Sequence, residues 1–179
     1  MHQTHSSKVI EITKKNLKNR IFSDAMITRL NGIALGVVTA DCVPILIYGD
    51  SNNVIGCIHA GWKGALSGII KNTIKKIKII GGSNRIFAAV GPCIGRRNYE
   101  VDKNFYKKFL MKSKKNKKYF KKKNNIKDLF DLRKFVTDKL LELKVKVDQV
   151  NMDTFRDNSN FFSYRRSTKL RQKDYGRCI

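Results

Sequence analysis

The chain has 179 residues, of which 41% are hydrophobic, and carries a formal net charge of +24. This length suits one domain, and the hydrophobic fraction excludes an intrinsically disordered chain. No stretch approaches the ~18 consecutive apolar residues of a membrane span, and the first residues lack the basic and apolar pattern of a secretory signal. We therefore expect a single cytoplasmic domain over residues 1–179, without a membrane partner.

The positive charge is most concentrated at residues 112–123, which include eight lysines and no acidic residue. Lysine and arginine clusters bind the phosphates of nucleic acids, but no helix-turn-helix, zinc-finger or RNA-recognition signature accompanies this segment. We interpret residues 112–125 as a basic, exposed insertion and expect no nucleic-acid partner. A basic nucleic-acid-binding module stays as the alternative from another functional class.

Hydrophobic patterning predicts strands that alternate with helices. Short apolar, β-branched runs predict strands at residues 33–39, 43–48, 54–59, 86–90 and 147–152. Apolar side chains at three- and four-residue spacing predict helices from Trp62 to the Gly81-Gly82 pair and at residues 105–111 and 129–143. Residues 153–173 are predicted as a loop. The alternation indicates an α/β or layered α+β domain without internal repeats.

Two residues near predicted strand ends are candidate metal ligands. His59 ends a predicted strand directly before a helix, and Cys42 follows the predicted strand 33–39. Binding sites of α/β folds commonly form at such positions, and imidazole with thiolate suits zinc or copper. Spacing alone explains the pair more simply as a core thiol and a buried histidine, because no compact metal motif is present.

The four cysteines, Cys42, Cys57, Cys93 and Cys178, are widely spaced and form no C-x-x-C pair. In a chain expected in the cytoplasm, this spacing favours free thiols or metal ligands over a disulfide framework.

Two further segments contain residue types that bind ligands. Residues 91–95 form a rigid Gly-Pro turn, and residues 160–166 place three aromatic residues beside Arg165 and Arg166. The second segment suits base stacking and phosphate or carboxylate binding. The alternatives are a plain surface turn and a buried aromatic corner with structural ion pairs.

In their order and spacing, five motif segments resemble the laccase-domain (YfiH-like) family, whose members are labelled polyphenol oxidase, purine nucleoside phosphorylase or peptidoglycan editing factor. The segments are Gln3-Thr-His-Ser6, Thr39-Ala-Asp-Cys-Val-Pro-Ile45, His59-Ala-Gly-Trp-Lys-Gly64, Gly91-Pro-Cys-Ile-Gly95 with Tyr99-Glu-Val101, and Phe161-Phe-Ser-Tyr-Arg-Arg166. The resemblance covers nearly the whole chain, from Gln3 to Cys178.

The resemblance implies a layered α-β-β-α sandwich related to the catalytic domain of cytotoxic necrotizing factor toxins. It also implies that His5, Cys42 and His59 converge on one metal ion, usually zinc, with copper as the alternative. Three protein ligands leave a fourth tetrahedral position open, as in catalytic zinc sites. Family members carry a sizeable segment ahead of the Gln-x-His motif, so the resemblance predicts an N-terminally shortened domain here.

The activity that the resemblance implies is metal-dependent phosphorolysis of adenosine, inosine, guanosine and methylthioadenosine, with adenosine deamination by metal-activated water. The expected partners are therefore purine nucleosides and phosphate. For this chemistry we expect Asp41 to orient a histidine or move a proton. Lys63, Arg165 and Arg166 are the candidates that hold phosphate.

Two alternatives keep the fold but change the chemistry. The first is a cytoplasmic hydrolase that edits peptidoglycan precursors. The second is copper-dependent phenol oxidation, which three histidines in the whole chain disfavour. A deaminase of the cytidine type is excluded, because its H-x-E and P-C-x-x-C signatures are missing.

Overall fold

A computed structural model describes residues 1–51, 53–81 and 85–179. Nine strands are present in these ranges: β1 (Val9–Ile12), β2 (Ala25–Thr28), β3 (Val43–Gly49), β4 (Val54–Ala60), β5 (Ile86–Val90), β6 (Glu100–Asp102), β7 (Phe120–Lys122), β8 (Lys127–Phe130) and β9 (Lys146–Gln149). The helices are α1 (Trp62–Ser67), α2 (Ile69–Gly81), α3 (Lys103–Lys112), α4 (Leu132–Glu142) and α5 (Tyr164–Lys169), with a 3-10 helix at Lys114–Tyr119.

Six strands form the main sheet in the order β1-β2-β4-β3-β5-β9. The four central strands β2, β4, β3 and β5 pair with one another in antiparallel fashion, whereas β1 pairs with β2, and β9 with β5, in parallel. A smaller antiparallel sheet has the order β6-β8-β7. This mixed α/β architecture confirms the predicted fold class.

The core lies between the main sheet and helices α2 and α4. Strand β3 alternates, with Val43, Ile45 and Ile47 buried and Leu46 and Tyr48 exposed, as expected for a strand with two different faces. The buried side chains join the apolar stripes of α2 and α4 in one cluster. The main sheet is thereby fixed as a rigid support for the residues at its strand ends.

The lysine-rich segment is more structured than the sequence suggests. Its lysines are exposed, but Tyr119 is only 1% exposed and Asn116 5%, and Asn116 donates to the carbonyl of Phe109. Phe120 adds to the small sheet, and its ring lies 4.8 Å from that of Phe130. Most of residues 112–125 are exposed as expected, whereas Asn116 and Tyr119 are buried and Phe120 packs on Phe130, which ties the segment to the core.

The predicted strand at residues 33–39 is absent. The backbone there finds other partners: Val38 exchanges hydrogen bonds with the Gln3 side chain, and Thr39 forms an isolated bridge with Cys178. The strands predicted at residues 43–48, 54–59 and 86–90 are confirmed as β3, β4 and β5. The last predicted strand is confirmed as β9, which ends earlier than expected.

The predicted helices need smaller corrections. Gly68, with φ of 95°, divides the first one into α1 and α2, and Gly82 lies outside the described residues. The helix predicted from residue 129 begins at Leu132, because Asp131 caps it by accepting from the amide of Lys134 and the preceding residues belong to β8. The predicted loop 153–173 includes α5.

All four cysteines are free thiols. Among the described residues, no helix is long and apolar enough to cross a bilayer.

Candidate metal centre

Three separate parts of the chain bring His5, Cys42 and His59 to one end of the main sheet. His59 is the penultimate residue of β4, shortly before α1 begins, as the sequence predicts. Cys42 directly precedes β3, and does not follow a strand as expected, because residues 33–39 form none. The antiparallel register pairs Pro44 with His59, so Cys42 lies beside the end of β4.

The candidate ligand atoms of the three residues all lie within 4.8 Å of one another. Cys42 Sγ is 3.9 Å from His5 Nε2, and the His5 and His59 rings stand almost perpendicular, with centroids 4.7 Å apart. Zinc bonds of about 2.3 Å to sulfur and 2.0 Å to nitrogen, at a tetrahedral angle, separate two such atoms by roughly 3.6 Å. Cys42 Sγ and His5 Nε2, at 3.9 Å, lie close to this spacing, whereas a pair as wide as 4.8 Å must close by about 1 Å for all three atoms to share one metal ion.

Because Gly61 has no side chain, His5 and Cys42 can approach each other beside its backbone. A Cβ atom at this position would lie 2.9 Å from His5 Cδ2 and 3.0 Å from Cys42 Sγ. Any side chain there would therefore displace two of the three candidate ligands. The close approach explains why glycine stands in the His-Ala-Gly-Trp motif.

Asp24, which precedes β2, orients His59. Its Oδ1 lies 2.8 Å from His59 Nδ1, and both side chains are buried. Burial alone raises the pKa of Asp24, but hydrogen bonds from His59 and Ser6 outweigh it and hold the pKa at about 2. Because the carboxylate is ionised, the shared proton resides on Nδ1. The other ring nitrogen, Nε2, is left free to bind a metal.

The same carboxylate fixes the loop that bears His5. Asp24 Oδ1 accepts a hydrogen bond from the His5 amide at 2.9 Å, and Oδ2 accepts from the Ser6 amide at 2.6 Å and the Ser6 hydroxyl at 2.7 Å. These bonds hold His5 in a left-handed backbone conformation, with φ of 57°. One buried carboxylate thus positions two of the three candidate ligands.

Burial affects the protonation of the ligands themselves. Burial, reinforced by the nearby Asp41 carboxylate, raises the pKa of the Cys42 thiol to about 12. Burial also lowers the pKa of His59, against the opposing effect of Asp24. The histidine is therefore neutral, as a ligand must be, and the thiolate needs a nearby cation to form at neutral pH.

Asp41 does not orient a histidine, contrary to the expectation from sequence. Its Oδ1 accepts from the Thr154 hydroxyl and its Oδ2 from the Arg165 amide, each at 2.7 Å. Asp41 itself has a φ of 85°, and its carbonyl accepts from the Ile94 amide at 3.1 Å. These contacts fix the backbone immediately before Cys42, so Asp41 positions that candidate ligand.

The three expected phosphate-binding residues lie outside the cleft of the candidate ligands. Arg166 donates to the backbone carbonyls of Thr154 and Phe155 at 2.7 and 2.9 Å, so its guanidinium serves a structural role. Arg165 donates to the Glu100 carbonyl at 2.6 Å, and Lys63 is exposed on α1. The structure thus corrects the expected grouping of these cations with the ligands.

A cleft of about 570 Å³ opens over the candidate ligands. Its wall includes Tyr164, one of the three aromatic residues at 160–166 that the sequence suggests for base stacking, together with Tyr175 and Arg177, which the sequence does not single out. The Arg177 guanidinium donates to the Tyr175 hydroxyl at 3.1 Å and lies over its ring. No sequence motif marks Asp24, which is simply an acidic residue ahead of a short apolar run.

Comparisons with known proteins identify the family to which this chain is similar. The family described as "Multi-copper polyphenol oxidoreductase laccase" matches residues 1–179. A Rickettsia prowazekii protein named purine nucleoside phosphorylase is 37% identical over 171 residues, which are 93% of this chain and 70% of that relative. A Haemophilus influenzae protein of the same name is 32% identical over 172 residues, 93% of this chain and 68% of that relative.

The solved structure of Bacillus licheniformis hypothetical protein YfiH superposes with a TM-score of 0.88 at 26% identity, over 98% of this chain and 69% of that one. Neisseria meningitidis protein NMB0706 superposes with a TM-score of 0.82 at 28% identity, over 92% of this chain and 67% of that one. The family match and the relatives together show that this chain belongs to the laccase-domain family, described as multi-copper polyphenol oxidoreductase laccase.

Proposed function

We propose that His5, Cys42 and His59 hold one metal ion and that this protein is a purine nucleoside phosphorylase. The observation that carries the proposal is the convergence of three ligand atoms within 4.8 Å at the base of an open cleft. The oriented His59 supports it, because metal-binding histidines commonly donate their second ring nitrogen to a carboxylate.

The donor set favours zinc. Two imidazoles and one thiolate form a ligand set that zinc accepts, and three protein ligands are typical of catalytic sites. The multi-copper chemistry in the family description does not fit this chain. A blue-copper centre alone takes two histidines and a cysteine, and the chain has three histidines in all. When bound, a zinc ion supplies Lewis-acid stabilisation of negative charge and lowers the pKa of water.

The names of the relatives suggest the substrate class, and the cleft suits it. Its volume of about 570 Å³ is in the range of small-molecule sites. The rings of Tyr164 and Tyr175, with centroids 5.1 Å apart, offer aromatic surface on which a purine can stack. Adenosine, inosine, guanosine and methylthioadenosine are the substrates that we propose.

Arg177 replaces the three expected cations as the residue that holds phosphate. It is the arginine of the cleft wall among the described residues, and its contacts with Tyr175 hold its guanidinium at the opening. A guanidinium binds phosphate through two parallel hydrogen bonds. In phosphorolysis, a phosphate oxygen bonds to the anomeric carbon, the glycosidic C–N bond breaks, and the departing purine nitrogen takes a proton.

Adenosine deamination is the second activity that we propose for this cleft. It rests on the same observation, because three protein ligands leave room for a fourth group at the metal. Deamination releases ammonia and needs no phosphate, so the two activities are separable in one assay.

The test uses the purified, zinc-loaded protein with adenosine, with and without phosphate, followed by chromatography of purines and an ammonia assay. We expect phosphate-dependent adenine release that Cys42→Ala abolishes. We also expect Arg177→Gln to raise the KM for phosphate at least ~10-fold, while Arg171→Gln, an exposed arginine outside the cleft wall, leaves it unchanged. A zinc-bound protein that converts no nucleoside under either condition would refute the proposal.

A further inference from the structure

A second and larger cleft, of about 780 Å³, lies between the 94–98 turn, helix α4 and the segment after β9. It shares no lining residue with the cleft over the candidate metal ligands. Five cationic and three acidic side chains line it. Which of these charges are free to meet a ligand decides what the cleft can bind.

The acidic side chains that line the cleft form hydrogen bonds or ion pairs within the protein. Asp153 accepts from the amides of Gly95 and Phe155 and from the Asn98 side chain, at 2.9, 3.0 and 2.6 Å. Asp131 caps α4, and Asp138 pairs with Lys118 at 2.7 Å. These contacts occupy the carboxylate oxygens of the cleft, and Lys118 offsets the charge of Asp138.

Three of the five cationic side chains are not engaged in this way, whereas Lys134 pairs with Asp138 at 3.5 Å. Arg96, Arg97 and Arg156 are exposed, and in the described ranges none of their side chains makes a hydrogen bond or ion pair. Arg97 and Arg156 come from different segments and face the same cleft. Their charge is available to a ligand.

Arg133 adds a fixed donor at the wall of the cleft. Its guanidinium donates to Asn151 and to the carbonyl of Met152, which hold it in place. Its Nε is buried and, among the residues that the structure describes, has no hydrogen-bond partner. The fixed guanidinium adds positive charge to the wall of the cleft.

We propose that this second cleft binds a phosphorylated small molecule through Arg97, Arg156 and Arg133. Arginine guanidinium groups match phosphate oxygens in charge and geometry, and the cleft volume suits a nucleotide-sized ligand. A nucleic-acid backbone carries the same phosphate chemistry, but the concave shape favours the small molecule. In addition, Lys121 and Lys122 of β7 are not among the described residues that line the cleft.

The test is calorimetric titration of the whole protein with inorganic pyrophosphate and with adenosine 5′-monophosphate, at about 0.15 M salt. We expect saturable binding that Arg97→Gln/Arg156→Gln weakens at least ~10-fold. The matched control, Lys121→Gln/Lys122→Gln, removes two charges from exposed lysines outside the cleft and should change affinity less than ~2-fold. Cys42→Ala should bind as wild type does.

Three results would overturn the proposal. Equal losses in both double variants would show non-specific attraction to a basic protein. Loss of binding in Cys42→Ala would place the phosphate in the metal cleft instead. A preference for short DNA duplexes over both small ligands, removed by either double variant, would assign the surface to nucleic acid. Thermal unfolding of each variant shows whether it is folded when tested.

Discussion

The Nδ1 atom of His59 lies 2.8 Å from Oδ1 of Asp24, and the amide of His59 also donates to the Asp24 carbonyl at 2.8 Å. Sheet register produces this pair. Strand β2 runs antiparallel to β4 with Ala25 opposite Ile58, so the residue before β2 meets the residue at the end of β4. A carboxylate fixed by the backbone thereby sets the direction of a candidate ligand.

Asp24→Asn should weaken zinc binding although Asp24 is not a ligand. The amide keeps the shape but lacks the charge that holds the proton on His59 Nδ1, and its NH₂ group cannot accept from the amides of the His5 loop. We expect a loss of roughly 10–100-fold in zinc affinity, measured by competition with a chelator. Asp148→Asn, an exposed acid on β9, is the matched control and should bind zinc as wild type does. Equal affinity in both variants would contradict the role of Asp24.

Gly61→Ala should disturb the site from a position with no functional group. The added methyl would overlap His5 Cδ2 and Cys42 Sγ, at 2.9 and 3.0 Å. We expect zinc affinity to fall at least ~10-fold and the free energy of unfolding by about 1–3 kcal/mol. Gly36→Ala is the control, because its Cβ would meet Ile179 at an ordinary 3.8 Å. Unchanged zinc affinity in Gly61→Ala would show that the ligands do not meet there.

Gln3→Ala should loosen the N-terminal loop. The Gln3 side chain donates to the Val38 carbonyl and accepts from the Val38 amide, each at 2.8 Å, in the manner of a neighbouring strand. We expect a loss of about 1–2 kcal/mol in the free energy of unfolding and faster amide exchange at residues 3–6. Gln172→Ala, an exposed glutamine, should show neither effect. Wild-type exchange rates in Gln3→Ala would contradict the anchoring role.

Glu100 should make the free energy of unfolding depend on pH. A hydrogen bond from Lys123, opposed by burial and aided by Lys169, lowers the pKa of Glu100 from 4.5 to about 2. A lowered folded-state pKa stabilises the protein above pH 4.5, and this contribution disappears as the pH falls towards 2. Because its lysine partners are 42–52% exposed, we expect Glu100→Gln to lose about 1 kcal/mol near neutral pH.

Urea unfolding of Glu100→Gln and wild type measures this difference across the pH range. The gap between them should close on acidification. Glu142→Gln is the control, since its ion pair with Lys139 is 54% exposed on the acidic side and should contribute less than ~0.5 kcal/mol. A gap that does not change with pH would contradict the assignment.

The sequence predicts the central part of the fold well, because strands β3, β4 and β5 are long apolar runs bounded by turn residues. It misses the interior strand β2, the edge strand β1 and the small sheet, whose three- and four-residue strands depend on partners distant in the chain. It wrongly predicts a strand at residues 33–39, because an apolar run does not reveal that its backbone partner is a glutamine side chain.

The sequence likewise predicts some residues of the candidate site and misses others. Motif resemblance selects His5, Cys42 and His59, and the structure brings them together. Asp24 could not be found in this way, because its role arises from the register of β2 against β4. The expectation for Arg166 fails for a related reason: an arginine beside aromatic residues has the same local sequence whether it binds a ligand or backbone carbonyls.

The most direct test of a metal centre at His5, Cys42 and His59 is the metal content of the purified protein, measured by elemental mass spectrometry. We expect about one zinc per chain in wild type and in Cys178→Ala, whose thiol lies outside the site. Cys42→Ala and His59→Gln should lose the metal while remaining folded. Full zinc occupancy in Cys42→Ala, or wild-type protein that takes up no divalent metal, would contradict the account.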